Sequence, residues 1–132
     1  MVLTDTMRDF LAESRFAVLA TVMPDGRIQQ TVMWYELRGN DIIMNTKAGR
    51  VKHQNVHREP RVSICFEDGY RYLTIDGRVA ETIDDQEIAQ ADILGLARRY
   101  HPHRPEEEHG YFKREQRETL VIAIDNVIAN GF

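Results

Sequence analysis

Short turn signals set between apolar runs limit what this chain can fold into more than any single motif does. Pro24-Asp25-Gly26, Arg38-Gly39-Asn40 and Asp68-Gly69 each separate two runs rich in β-branched, aliphatic and aromatic residues. Proline presets the first bend of such a turn, and glycine accepts the left-handed position behind it. Residues 16–23, 27–37, 41–45, 61–67, 70–82 and 118–129 therefore read as six strands. Within 27–37, Thr31, Met33 and Tyr35 fall on one face, and Gln30, Val32 and Trp34 on the other. Gly77 interrupts the run 70–82 and predicts a bulge or bend. Adjacent hairpins make the sheet antiparallel. Six strands in 132 residues argue for closure into a barrel.

Helical periodicity is confined to the spaces between these runs. Residues 4–14 form a short amphipathic helix, capped by Thr4 or Asp5, with Met7, Phe10 and Leu11 on one face. A second helix covers 48–58. A third starts at Asp84 or Asp85 and runs to about residue 100, with Ala89, Ile93, Leu96, Ala97 and Tyr100 on one face. Residues 106–116 read as a short, highly charged helix. The whole, 1–132, is one domain with peripheral helices.

Charge bounds the partners. The net charge is −4, so general nucleic-acid binding is not expected and the basic groups act locally. No apolar run approaches membrane-spanning length, and no basic start leads into an apolar leader. The expectation is a cytoplasmic protein without a membrane partner. The single cysteine, Cys65, cannot form an internal disulfide and reads as a buried, inert thiol in a reducing compartment.

The local basic cluster lies in Asn45-Thr46-Lys47-Ala48-Gly49-Arg50-Val51-Lys52, where strand 41–45 gives way to helix 48–58. It offers a hydroxyl, a glycine and three cations next to the free N–H groups of a helix start. That combination suits a phosphate. Lys47 is expected to point to solvent, leaving Arg50 and Lys52 as the cradle. The bland alternative is a solvated basic helix start.

Other chemistry is thinly signalled. No G-x-G-x-x-G, P-loop, C-x-x-C or G-x-S-x-G pattern occurs. His53 and His57, four apart, could share a metal, but Gln54 stands where a zinc protease would have its glutamate. They read as polar residues of an exposed helix face, and no metal is expected. His101, His103 and His109, beside Glu106-Glu107-Glu108, read as a solvated loop or as a lid over a ligand. Trp34, Tyr35, Tyr70 and Tyr72 are expected to be neighbours, either as packing or as the wall of a planar-ligand site.

With these elements placed, the chain resembles the pyridoxamine-5'-phosphate-oxidase-like, flavin-binding split-barrel superfamily. The resemblance rests on Ala20-Thr21 with Asp25-Gly26-Arg27, on Gln30 to Tyr35, on Thr46 with Arg50 and Lys52, on Asn55 with Glu59-Pro60-Arg61-Val62-Ser63-Ile64, and on Asp76-Gly77-Arg78-Val79. It implies a six-stranded antiparallel split barrel that pairs as a homodimer, with two cofactor sites at the interface. Gln30, Thr31, Val32 and Met33 would line an isoalloxazine. Asn45 and Thr46 would bond the cofactor's tail, Arg50 and Lys52 would hold its phosphate, and Tyr72 would contribute across the dimer.

Val51 separates Arg50 from Lys52, and the chain ends at Asn130-Gly131-Phe132 without the oxidase's substrate residues. The short chain and the spacing Arg50-x-Lys52-x-x-Asn55, followed by Arg58-x-Pro60-Arg61-Val62-Ser63 with one substitution at Glu59, are more similar to the branch that uses the deazaflavin coenzyme F-420. The resemblance therefore implies a deazaflavin-dependent oxidoreductase passing hydride to an unsaturated small organic substrate. The alternatives are an FMN-binding flavoprotein or flavin reductase, and a non-catalytic flavin or haem carrier. No side chain stands out as catalytic. Tyr72, a histidine of 101–109, or water could supply a proton.

Overall fold

The computed structural model describes residues 3–132, apart from the side chains of 106–108. Seven strands form one antiparallel sheet: β1 (Ala17–Val22), β2 (Ile28–Met33), β3 (Glu36–Arg38), β4 (Asp41–Lys47), β5 (Arg61–Asp68), β6 (Arg71–Ile83) and β7 (Arg117–Asn130). The order is β2-β1-β5-β6-β7-β4-β3. The two edge strands, β2 and β3, are thus consecutive in sequence. The single strand expected over 27–37 breaks at Trp34-Tyr35, where the chain steps across the open seam. That break turns six expected strands into seven and leaves the barrel split rather than closed by hydrogen bonds.

Alternation places one residue in two inside. Ala17 and Leu19 of β1, Ile42 and Met44 of β4, Ile64 and Phe66 of β5, Leu73 and Ile75 of β6, and Leu120 and Ile122 of β7 form one continuous buried cluster. A sheet whose strands all bury one face against a common core must wrap around it. Cys65 points the other way from Ile64 and Phe66 and is half-exposed, not buried as its apolar neighbours suggested. The expected bulge is present, with register shifts on either side of the Gly77–Val79 segment of β6. A Cβ at Gly77 would run into the backbone oxygen of Ala123.

The helices close the ends and the seam. In α1 (Asp5–Ala12) Thr4 Oγ accepts the Met7 N–H at 3.2 Å. In α3 (Gln86–Tyr100) Asp85 accepts the N–H groups of Glu87 and Ile88. Caps of this kind contribute about 1 kcal/mol each. Arg99 of α3 donates to the carbonyl oxygens of Leu11, Ala12, Glu13 and Tyr35, tying the end of α1 to the seam. α2 (Val51–Arg58) plugs one end of the barrel: Val56 joins the core, and Asn55 donates to Thr21 Oγ at 3.0 Å. A 3-10 helix, Glu106–Arg114, replaces the regular helix expected over 106–116.

The four aromatics expected to neighbour one another do not. Tyr35 is buried against Phe66, whereas Trp34 stacks on Tyr100 of α3. Tyr70 is 91% exposed in the turn before β6, and Tyr72 is half-buried opposite Glu67. The seam separates the first pair, and strand alternation and the turn separate the second.

Candidate phosphate and cofactor site

The register of β4 against β7 builds the site. Lys47 pairs with Arg117, Thr46 with Glu118 and Asn45 with Thr119. Paired residues share a face, so Asn45, Lys47, Arg117 and Thr119 lie on the face under α3, while Thr46 and Glu118 lie on the barrel side under α2. A cavity of about 350 Å3 opens where these strands end. Phe16, Val32, Met33, Trp34, Ile93, Leu96, Tyr111 and Phe112 give it an apolar wall, and Thr46, Lys47, Arg50, Lys52 and Arg117 a basic one.

Three of these cations set the electrostatics. Lys52 is 8% exposed. Burial first, then Arg50 and Arg117, push its ammonium below the usual lysine range, and nothing acidic offsets them. Arg50 is the N-cap of α2 and makes no side-chain cap. Arg117 is also 8% exposed, and burial chiefly lowers its pKa despite Glu115 at 3.1 Å. Among the described residues, Arg50 and Lys52 have no carboxylate partner in ion-pair reach. Arg50 is exposed, but Lys52 is buried, and a buried ammonium beside other cations without counter-charge is costly. A bound anion removes that cost. The first turn of α2, beside this wall, has N–H groups without intrahelical acceptors.

Several residues expected at the site from the sequence meet here. Val32, Met33, Asn45, Thr46, Arg50 and Lys52 all line the cavity, and Thr31 lines an adjoining one that shares Arg50 and Lys52. Gln30 faces outward and lines neither. Tyr72, at the far end of the β5–β6 hairpin, is not part of the cavity within one chain. Asn45 uses both amide N–H donors on Ala89 O and Thr119 Oγ, and its oxygen accepts from Arg117 Nε at 2.9 Å. Its side chain therefore aims Arg117. Lys47 is exposed, as expected, and also lines the mouth, 3.6 Å from Glu115.

Arg117 is the functional residue that sequence reasoning misses. The last strand expected from the sequence begins at 118, which leaves Arg117 in the preceding loop. Only its pairing with Lys47, 70 positions earlier, brings it to the cradle. Gln86 fixes it there by bonding its backbone N–H and carbonyl at 2.9 and 2.8 Å. Tyr111 and Phe112 of the 3-10 helix are likewise unexpected, although that segment does cover the cavity, as a lid would. Within it His109 is 2% exposed and stacked beside Phe112, not solvated. The glutamate side chains of 106–108 lie outside the described residues.

Of the two histidines expected on an exposed helix face, His57 is exposed as expected and His53 is half-buried. Each points Nε2 at Glu118, at 2.7 and 2.5 Å, and Glu118 is 5% exposed. The three ligand-type atoms lie within 4.8 Å of one another.

Comparisons with known proteins bear on the fold and the family. No curated protein matches the chain. A solved structure called an F420 reductase is 26% identical, covering 96% of this chain and 98% of its own, with a TM-score of 0.80. A conserved hypothetical protein of Mycobacterium tuberculosis is 29% identical, over 96% and 84% of the two chains, with a TM-score of 0.79. The haem storage protein HutZ of Vibrio cholerae shares the fold at 20% identity, over 100% and 97%, with a TM-score of 0.71. The pyridoxamine 5'-phosphate oxidase family model matches residues 3–129. A family match over almost the whole chain, on a split barrel with a basic cradle beside an apolar cavity, establishes that this chain belongs to the pyridoxamine 5'-phosphate oxidase family.

Proposed function

We propose that the protein is a deazaflavin (coenzyme F-420)-dependent oxidoreductase that passes hydride to an unsaturated small organic substrate, working as a cytoplasmic homodimer. The observation that carries this is the basic wall of Arg50, Lys52 and Arg117, of which Arg50 and Lys52 have no acidic partner among the described residues, in one cavity with Trp34 and Phe112. It fits a ligand with a flat apolar head and an anionic tail. When bound, such a cofactor supplies the hydride chemistry, and the protein supplies position, desolvation and charge. β2 is an edge strand with a neighbour on one side only, so its other row of backbone groups is free to face a planar ring.

Likeness to the F420 reductase supports the deazaflavin over FMN. The dimer is supported by an outward apolar stripe: Phe16, Ile28 and Val32 are 60%, 62% and 62% exposed. A partner chain seated there could also bring Tyr72 toward the site. Within one chain, Tyr111 lines the cavity and is the tyrosine available there as a proton source.

The test is a fluorescence titration of the purified protein with deazaflavin, FMN and haem, followed by reduction assays on the loaded protein. Tight deazaflavin binding with enone or nitro-compound turnover is expected. Preferential FMN binding would make it a flavoprotein or flavin reductase. Tight binding without turnover would make it a carrier.

A further inference from the structure

Glu118 is a buried acid beside a site read as anionic, where a carboxylate by itself would repel the ligand. It follows Arg117 directly, yet leaves β7 by the opposite face. Both its oxygens are occupied, one by His53 and one by His57, a turn apart on α2. The other ring nitrogen of His53, Nδ1, accepts the Gly49 N–H at 3.1 Å. Gly49 turns the chain into α2 with φ +89°. Its carbonyl is held by the Gln54 side-chain amide at 2.9 Å. An imidazole that accepts at Nδ1 carries its proton on Nε2, so His53 donates to Glu118. A continuous chain of bonds runs from Glu118 through His53 to the backbone of the cradle loop.

We infer that Glu118 is a positioning residue for the anion cradle: through His53 it fixes the Gly49 turn and the start of α2, so that Arg50 and Lys52 stand beside Arg117. The inference rests on the reading of that cradle as an anion site. It also sets what the cluster is not. A metal held by both histidines needs a lone pair on each Nε2, and the Gly49 N–H denies His53 that form. The Gly49 N–H is likewise spent on the imidazole, so the anion's backbone donors come from the first turn of α2.

Two effects of Glu118 oppose each other: its charge weakens anion binding, and its hold on His53 strengthens it. Substitutions separate them. Glu118→Gln keeps an acceptor for His53 and drops the charge, so it should bind FMN, deazaflavin and inorganic phosphate as well as wild type or more tightly. Glu118→Ala loses both and should bind about five- to tenfold more weakly, the loss expected of one ordering hydrogen bond. His53→Ala should lose as much, and the double variant no more, because the two act as one unit.

Nitrogen-15 NMR of the histidine rings gives a readout independent of ligand and of overall stability. Wild type and Glu118→Gln should show His53 protonated on Nε2 alone, and Glu118→Ala a tautomer mixture. Tighter anion binding by Glu118→Ala would show that only charge matters and overturn the proposal. So would a wild-type His53 protonated on Nδ1, or one equivalent of added zinc shifting both rings. If wild type binds none of the three anions while His53 keeps the Nε2 form, the anion-site reading fails and the clamp stands.

Discussion

Lys52→Met should make the protein more stable and worse at binding. The ammonium sits 8% exposed beside Arg50 and Arg117 with no acidic partner, so the folded state bears a charge it would rather lose. Methionine keeps an apolar stem of similar length. Replacing buried charge by an apolar group commonly stabilises by about 1 kcal/mol or more, and about 1 kcal/mol moves the melting temperature of a domain this size by about 3–5 °C. The same charge is what the anion uses. Charge-assisted hydrogen bonds contribute about 1.5–3 kcal/mol, so the dissociation constant for deazaflavin or FMN should rise by about ten- to a hundredfold.

The folded-state pKa of Lys52 lies below its unfolded value, so the unfolded chain holds more protons between the two. The cost of the charge is full below the folded pKa and is relieved as pH rises through it. Ligand affinity runs the opposite way and falls as Lys52 deprotonates, beginning below the usual lysine range. Thermal melts with and without phosphate across alkaline pH, paired with fluorescence titrations, check both. A Lys52→Met protein that melts lower than wild type and binds normally would refute the reasoning, because Lys52 would then be structural.

Arg117→Ala should weaken cofactor binding by about tenfold or more, and Arg117→Lys should rescue it only partly, because an ammonium cannot both bond Asn45 through Nε and present a planar fork; titration of the two variants decides. Gly77→Ala should destabilise by about 2 kcal/mol or more, since its methyl meets a backbone oxygen on β7 rather than a movable side chain, as denaturant melts would register. Light scattering should give a dimer at micromolar concentration, and Ile28→Glu, on the exposed stripe but outside the cavity, should give a monomer with weakened cofactor binding; a wild-type monomer that binds cofactor fully would remove the dimer from the reading.

The sequence by itself determined the strands, the turns and the caps, because those depend on neighbours a few residues away. Thr4, Asp85, Gly26, Gly39 and Gly69 each act within their own turn, and the alternation of Thr31 and Met33 against Gln30 and Val32 is a property of any strand. The same locality made Arg50 and Lys52 legible as a cradle, since both lie at one helix start. The tertiary structure decided everything that depends on register between distant strands. Whether a basic residue faces a cavity or solvent is set by which residue it pairs with, and the Lys47–Arg117 and Thr46–Glu118 pairs of β4 and β7 join positions about 70 apart. That pairing brought Arg117 to the proposed cradle and put a buried acid under His53 and His57. Likewise, the split of one expected strand at Trp34-Tyr35 reflects the core's demand for Tyr35 inside and the seam's for Trp34 against α3, a choice local propensity does not contain.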